Sequence, residues 1–219
     1  MTRPLAFILD LDGTLVDTLG DFVAVLRLVL AELRLPLVDA GFVERTVGQG
    51  SEHLIRSTLA AVGGAPALYE AAWASYQAHY AAINGRHVTV YPGVVEGLDV
   101  LRGSGLPLAC LTNKPLRFAK DLLTSKGLDG YFAQVFGGDS FERKKPDPLP
   151  LLKTCKALGT APSSTWMIGD SSNDARAARA AGCPVALLSH GYNHGEPISA
   201  VDCDLRADSL ADLAKQLLN

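Results

Sequence analysis

The spacing of hydrophobic residues divides the chain into a helical part and a part in which strands and helices alternate. An apolar run from Leu5 to Leu9 is typical of a strand buried on both faces of a parallel sheet. After Thr18, apolar residues recur at helical spacing up to about Arg34, and no strand is predicted over residues 15–87. Three further helices are predicted at residues 39–46, 51–62 and 66–83.

From residue 88 onward, apolar runs of strand length alternate with helical patterns. Strands are predicted at residues 106–111, 134–136, 165–168, 185–188 and near Leu205. Helices are predicted at residues 91–102, 115–126, 148–158, 172–181 and 209–218, the last capped by Asp208. This alternation favours an α/β fold with a doubly wound, Rossmann-like parallel sheet. The helical part is then an all-helical cap domain, residues 17–87, inserted into a core (catalytic) domain of residues 1–16 and 88–219.

Composition excludes several classes of protein. With 219 residues, 48% hydrophobic and 20% charged, the chain has the composition of an ordinary globular protein. A net charge of −3 offers no basic face for nucleic acid, and no apolar run approaches the roughly 20 residues that span a bilayer. The four cysteines form no CxxC pair and no cleavable leader is recognisable, so we expect reduced thiols and a cytoplasmic location. His190 and His194 lie among glycines, which favours a loop over a metal site.

Two carboxylates stand where the first strand ends. Asp10 and Asp12 are one residue apart and are followed by Gly13. An Asp-Gly pair is common in turns, so a plain acidic turn is one interpretation. Two anions at the end of a buried strand repel each other, which favours a shared proton or a bound cation. Oxygen ligands suit a hard ion, with Mg²⁺ as the first candidate.

Polar residues also follow two other predicted strands. Thr112 and Asn113 precede a helix whose N-terminus could bind an anion, and Asp170 follows Gly169 after the strand at 165–168. Lys145 lies in a cationic loop between these two strands. Each group alone could be a cap, a turn or a solvated charge. Because ligands bind beyond the carboxyl ends of such strands, the groups together predict a metal site beside an anion site.

These motifs resemble those of the haloacid dehalogenase-like hydrolase superfamily. The resemblance covers essentially the whole chain, and the four motifs occur in the expected order: Asp10-x-Asp12-Gly13-Thr14, Thr112-Asn113, Lys145-Pro146 and Gly169-Asp170-x-x-x-Asp174. The helical insert is similar to the cap of that superfamily. Within it, three segments look most like phosphoglycolate phosphatases: Val47-Gly48-Gln49-Gly50, Tyr91-Pro92-Gly93-Val94 and Gly191-Tyr192-Asn193-x-Gly195-Glu196.

The resemblance implies a division of roles among the acids. It makes Asp10 the nucleophile that forms an aspartyl-phosphate, and Asp12 the general acid and then the base. Mg²⁺ would be held by the Asp10 carboxylate, the Asp12 backbone carbonyl and the Asp170 side chain. Asp174 is expected to orient Lys145 or a metal-bound water rather than to bind the metal itself.

The resemblance also implies residues for the phosphoryl group. Thr112 and the backbone of Asn113 would hold its oxygens, and Lys145 would offset its charge. The expected partner is a small phosphorylated metabolite, with no nucleic acid and no membrane, and the protein is expected to be a monomer or a homodimer. The cap is expected to close as a lid hinged near residues 16–18 and 87–91.

Alternatives to a phosphatase remain open at this point. A sugar phosphomutase similar to beta-phosphoglucomutase shares the nucleophile, the acid and the cap. A non-enzymatic phospho-acceptor signalling domain also combines acids, a threonine and a lysine on a parallel sheet, but lacks an inserted helical cap. For a substrate carboxylate, the cap and its hinges offer four candidate cations: Arg45, His53, Arg56 and Arg86.

Overall fold

A six-stranded parallel sheet forms the centre of the computed structural model, which describes residues 3–219. Its strands are β1 (Ala6–Leu9), β4 (Leu108–Leu111), β5 (Gln134–Phe136), β6 (Thr165–Gly169), β7 (Val185–Leu188) and β8 (Leu205–Ala207). Two short strands outside this sheet, β2 (Val16–Asp17) and β3 (Thr89–Val90), pair antiparallel with each other. The order in the large sheet is β5-β4-β1-β6-β7-β8. The predicted α/β fold is therefore confirmed.

The first strand lies in the middle of the sheet because it is apolar along its whole length. Phe7 pairs with Leu108 of β4 on one side and with Trp166 of β6 on the other. Each of the four residues of β1 is fully buried, as expected for a strand covered on both faces. This position places the carboxyl ends of β1, β4 and β6 side by side.

Helices cover both faces of the sheet. They are α5 (Val94–Gly103), α6 (Leu116–Ser125), α7 (Leu149–Leu158), α8 (Ser172–Ala181) and α9 (Leu210–Leu218). Along β1 the side chains alternate between the faces, as strand geometry requires. Phe7 and Leu9 pack with α5, α6 and α9, whereas Ile8 packs with α7 and α8. The sheet therefore has a separate apolar core on each face.

The insert between β2 and β3 is helical. It contains α1 (Leu19–Glu32), α2 (Ala40–Thr46), α3 (Ser51–Ala61) and α4 (Tyr69–Ile83), with a 3₁₀ turn at Pro66–Leu68 before α4. These helices share a third apolar core, in which the rings of Phe22, Tyr80 and Tyr76 stack in sequence. The division into a cap at residues 17–87 and a core remains a prediction, as does closure of the cap.

A buried acid in α1 fixes the end of this insert. Asp21 is fully buried, and its carboxylate accepts hydrogen bonds from the N–H groups of Gly85 (2.6 Å) and His87 (2.8 Å). The Lys126 ammonium donates to the carbonyls of Gly85 and Val88. The chain returning from the insert is therefore tied to both the insert and the core.

Three details of the sequence-based prediction are wrong. The strands β2 and β3 were not anticipated, because a two-residue strand is too short to show periodicity. Leu5 is 50% exposed and precedes β1. The cap of α9 is Ser209, whose hydroxyl accepts from the Asp212 N–H (3.1 Å), whereas the Asp208 carboxylate accepts from Ser189. Both types of side chain cap helices, so the sequence alone does not choose between them.

Two expectations about the chain concern thiols and membranes. All four cysteines are free. In the part of the chain from residue 3 to residue 219, no helix is both long and apolar enough to span a bilayer.

Candidate active site

The carboxyl ends of β1, β4 and β6 bring the predicted site residues together. Asp10 follows β1, Thr112 follows β4 and Asp170 follows β6, and all three side chains are buried. Because the three strands are neighbours, residues more than 50 positions apart in sequence reach one edge of the sheet. The groups predicted to carry the chemistry are therefore adjacent in space.

Three of the acids form a cluster that could hold a cation. Carboxylate oxygens of Asp10, Asp170 and Asp174 lie within 4.8 Å of one another. Burial, opposed by the Lys145 charge, raises the pKa of Asp10 from 3.8 to about 7. Burial and then the neighbouring charge of Asp174 raise the pKa of Asp170 well above its ordinary value. Ionised carboxylates at this place therefore require positive charge.

The fixing of Asp170 supports a metal role for the cluster. Its carboxylate accepts from the Thr14 hydroxyl (2.6 Å) and from the Tyr192 N–H (2.7 Å). A side chain at Gly13 or Gly191 would overlap this carboxylate, so both glycines make room for it. The donor set consists of oxygen atoms only and is held rigidly, which fits a hard divalent cation.

Lys145 links two of the clustered acids. Its ammonium lies 2.7 Å from Asp174 Oδ1 and 3.0 Å from Asp10 Oδ1. Burial alone would lower the pKa of Lys145, but the Asp10 and Asp174 carboxylates outweigh it and raise the pKa above its ordinary value. Lys145 is therefore a permanently charged group beside Asp10.

The other oxygen of Asp174 is occupied by the start of α8. Asp174 Oδ2 accepts from the N–H of Asp170 (3.2 Å) and from both the N–H (3.2 Å) and the hydroxyl (2.8 Å) of Ser171. The same residues form a capping box at the helix N-terminus. This arrangement suits a residue that orients Lys145, the role expected for Asp174, which remains a prediction.

The side chain of Asn113 joins the core to the cap. Its amide Nδ2 donates to the backbone carbonyls of Lys145 (2.8 Å) and of Gly48 in the cap (2.9 Å), and its Oδ1 accepts from the Lys145 N–H (3.0 Å). These bonds position the lysine loop and the Gly48 segment. The side chain is thus fully engaged; the role of the Asn113 backbone in holding a ligand remains a prediction.

Lys114 is a site residue that the sequence reasoning did not select. Its ammonium lies 2.8 Å from Asp12 Oδ1 and packs over the rings of Phe22 and Tyr80 at 4.8 and 5.0 Å. The signal was available, because Lys114 directly follows Thr112 and Asn113 at a strand end. A lysine next to a helix start is usually solvated, however, and only the fold shows its burial.

A cavity of about 30 Å³ lies between the sheet edge and the cap. On the core side it is lined by Asp10, Asp12, Thr112, Asn113 and Lys114. On the cap side it is lined by Phe22, Val47, Gly48, Gly50, Ser51 and Leu54. The cavity is small and has core residues on one side and cap residues on the other, which suits a small ligand.

The four cations expected to meet a substrate carboxylate are not on the wall that residues 3–219 form around this cavity. Arg56 packs on the Tyr69 ring (3.6 Å), and His53 hydrogen-bonds to Ser57. Arg45 is exposed and packs near Gly195, and Arg86 is exposed. The structure therefore does not support the expectation for any of the four.

The fold and this edge define a class of enzyme in which a buried carboxylate, a lysine and a cation-binding acid cluster act on an anionic substrate. The chain belongs to the haloacid dehalogenase-like hydrolases, whose family model matches residues 7–188. The predicted family is confirmed.

Two similar proteins that span nearly the whole chain are named phosphoglycolate phosphatase. The chain is 42% identical over 212 residues to a phosphoglycolate phosphatase of Thiobacillus denitrificans, covering 95% of this chain and 93% of the relative. It is 40% identical over 222 residues to a phosphoglycolate phosphatase of Nitrosococcus oceani, covering 100% and 98%. Among solved structures, a predicted phosphoglycolate phosphatase from Haemophilus somnus 129pt has 31% identity and a TM-score of 0.93, with 99% of each chain covered.

Proposed function

We propose that the protein is a Mg²⁺-dependent phosphatase that hydrolyses a small phosphate monoester, 2-phosphoglycolate first, through an aspartyl-phosphate on Asp10. The observation that carries the proposal is the position of Asp10, a buried carboxylate that shares its cavity with Asp12 and Thr112 and is paired with Lys145. The names of the similar proteins support the substrate class.

Asp10 is the acid best placed to attack phosphorus. Both oxygens of Asp174 are engaged, and both oxygens of Asp170 accept hydrogen bonds. Within residues 3–219, the hydrogen bonds and the ion pair of the Asp10 side chain all involve Oδ1, which accepts from the Leu11 N–H and faces Lys145. Oδ2 is therefore the oxygen available as nucleophile.

The reaction then takes two steps. In the first, Asp10 Oδ2 forms a bond to phosphorus while the ester P–O bond breaks, and Asp12 donates its proton to the leaving alkoxide. In the second, water attacks phosphorus, Asp12 takes a proton from that water, and the bond between Asp10 and phosphorus breaks. Inorganic phosphate leaves, and both acids return to their starting forms.

The surrounding groups stabilise the charge of the phosphoryl oxygens. Lys145 supplies a fixed positive charge, and the Thr112 side chain and the backbone of Asn113, in the loop between β4 and α6, would hold phosphoryl oxygens. A Mg²⁺ ion held by Asp10, Asp170 and the Asp12 carbonyl would supply further positive charge to these oxygens. Asp174 holds Lys145 in position.

Substrate screening tests the proposal. Purified protein with Mg²⁺ is expected to release inorganic phosphate from 2-phosphoglycolate with the highest kcat/KM in a panel of phosphate monoesters. A chelator should remove the activity and Mg²⁺ should restore it. The Asp10→Asn variant should lose at least about 10⁴-fold in kcat. The matched Asp99→Asn variant, which changes an exposed acid paired with Arg102, should keep its activity.

Two outcomes would replace the proposal with an alternative. Isomerisation of a sugar phosphate without release of inorganic phosphate would indicate a phosphomutase. A long-lived phosphorylated protein without turnover would indicate a phospho-acceptor domain. High residual phosphatase activity in Asp10→Asn would refute the nucleophile assignment.

A further inference from the structure

Lys114 is a buried cation on the wall of the cavity. Its side chain is 2% exposed, and its ammonium faces the same space as Asp10 and Asp12. An ammonium group has three N–H donors. Among the residues that the structure describes, Asp12 Oδ1 is the one hydrogen-bond acceptor of this group. Apart from its bond to Asp12, this buried cation can therefore still donate a hydrogen bond to a ligand.

The cap surrounds this ammonium with aromatic rings. Phe22 of α1 and Tyr80 of α4 both present a ring face to it, and the two rings are stacked 5.7 Å apart. The face of an aromatic ring attracts a cation but carries no net charge, so it does not neutralise the cation as a carboxylate does. The rings therefore hold Lys114 at the cavity without neutralising it.

The two buried lysines of the site differ in the number of carboxylates that they already contact. Lys145 is held between the carboxylates of Asp10 and Asp174, and it is not part of the cavity wall. Lys114 is the cation among the described residues of that wall. A substrate whose phosphoryl group lies at Asp10 would place its second end beside Lys114.

We propose that Lys114 binds a second anionic group of the substrate, a carboxylate, and so restricts the enzyme to small phosphorylated carboxylic acids. The inference rests on the proposed phosphatase function and assigns the specificity of that site to a core residue. The rest of the wall on the cap side is apolar or small, so the carboxylate has this single cation as its partner.

A purely structural role for Lys114 makes a different prediction. If the lysine only neutralised Asp12, its removal would affect all phosphate monoesters equally. If it also binds the substrate carboxylate, its removal weakens carboxylated ligands much more than uncharged ones. The comparison of a carboxylated ligand with an uncharged one therefore separates the two roles.

Binding to a protein that cannot turn over gives the first test. In the Asp10→Asn background with Mg²⁺, calorimetry measures the Kd of 2-phosphoglycolate and of inorganic phosphate with and without Lys114→Met. Lys114→Met should weaken the binding of 2-phosphoglycolate by roughly 10- to 100-fold, because a charge-assisted hydrogen bond is lost. It should weaken the binding of inorganic phosphate by less than about 3-fold. Retained phosphate binding shows that the variant is folded.

Two further variants control this test. Lys114→Gln keeps a hydrogen-bond donor for Asp12 but removes the charge, and it should show the same selective loss of affinity for 2-phosphoglycolate. It replaces Lys114→Met if that variant does not fold. Lys144→Met removes a lysine that is next to Lys145 in sequence. Its ammonium lies 2.7 Å from the Glu52 carboxylate of the cap, and it is outside the cavity wall. This variant should leave the ratio of the two Kd values unchanged.

Turnover gives the second test. In otherwise unchanged protein, the ratio of kcat/KM for 2-phosphoglycolate to that for ethyl phosphate should fall by roughly 10- to 100-fold in Lys114→Met. Equal losses for both esters, or equal weakening of both ligands in the binding test, would overturn the inference. If the proposed function is wrong, the unchanged protein will release no phosphate from either ester. In that case the binding test still decides the role of Lys114.

Discussion

The two buried lysines show how one cavity can separate chemistry from substrate selection. Lys145 lies within the core and is bound by two carboxylates, one of which is itself held by the start of α8. Lys114 lies between core and cap and is bound by one carboxylate and two cap rings. Lys145 thus has two carboxylate partners, whereas Lys114 has one. The difference in partners is the observation on which the two proposed roles rest.

The largest expected effect comes from replacing Lys145. Lys145→Met leaves the buried carboxylates of Asp10 and Asp174 without their cation, so the free energy of unfolding should fall by about 3–5 kcal/mol. The kcat should fall by at least about 10²- to 10³-fold, because a fixed charge at the phosphoryl site is lost. Urea unfolding and steady-state kinetics measure the two effects.

Lys114→Met is the comparison for this prediction. It leaves a single carboxylate, Asp12, without a partner and keeps an apolar side chain against the rings. A loss of stability equal to that of Lys145→Met would contradict the difference between the two lysines.

The next largest effect is the pH dependence of the metal-free protein. The pKa of Asp10 is raised to about 7 from 3.8, so the folded state binds a proton that the unfolded chain has released over this range. This contribution to stability is complete below about pH 4 and is lost as the pH rises through about 7, by about 4 kcal/mol. Mg²⁺ should offset the loss and therefore stabilise the protein more at pH 8 than at pH 5.

Urea unfolding in the presence of a chelator, at several pH values from 4 to 8, measures this effect. Asp10→Asn is the matched control, because asparagine has the same shape and does not titrate. The unfolding free energy of the unchanged protein minus that of Asp10→Asn should decrease as the pH rises. A difference that is constant or increases with pH would contradict the raised pKa.

A smaller effect is expected where the core meets the start of the helical insert. The Tyr192 hydroxyl contacts the Asp17 carboxylate and accepts from the N–H groups of Thr18 (2.9 Å) and Leu19 (3.1 Å). Its own N–H donates to Asp170, so one residue connects the acid cluster to the start of α1. Tyr192→Phe should lower the free energy of unfolding by about 1–3 kcal/mol, since it leaves the buried N–H of Thr18 without an acceptor, whereas the Leu19 N–H keeps Asp17 Oδ1 as its acceptor.

Thermal and urea unfolding measure this loss. The control is Tyr131→Phe, which removes a hydroxyl bonded to the exposed Asp99 and should cost well under about 1 kcal/mol. Similar losses in the two variants would show that the bonds from Tyr192 to the start of α1 do not contribute to stability.

The smallest effect is expected at the rim between cap and core. The ion pair of Lys144 and Glu52 has side chains that are 32% and 56% exposed, so solvent and salt screen it. Glu52→Gln should change the free energy of unfolding by less than about 1 kcal/mol and kcat/KM by less than about 3-fold. A larger loss, measured by the same assays, would show that charge at the rim matters as much as the buried lysines.

The sequence predicted the parts of the fold that depend on one segment at a time. The apolar run of β1 and the alternation after residue 88 are enough for a parallel sheet, because a strand buried on both faces must be apolar throughout. The edge at which Asp10, Thr112 and Asp170 meet then follows from strand topology. Their chemical roles rest on the resemblance and stay predictions.

The sequence could not supply features that depend on two distant segments. The burial of Lys114 requires the rings of Phe22 and Tyr80, which come from two cap helices far away in the chain. Asp21 lies four residues before the buried Val25, so the sequence itself shows a polar residue on the apolar face of this helix. Its partners, the N–H groups of Gly85 and His87, were not. Such contacts require the tertiary structure.

The central claim is that the phosphoryl group passes through the side chain of Asp10. Protein mixed with 2-phosphoglycolate and Mg²⁺ is quenched in acid within one turnover, digested and analysed by mass spectrometry. We expect the peptide that contains Asp10 to carry one phosphoryl group, which is localised to Asp10, disappears after longer incubation and is absent from Asp10→Asn. Release of inorganic phosphate at the full rate with no phosphorylated peptide at any time, or with the phosphoryl group on another residue, would contradict the account.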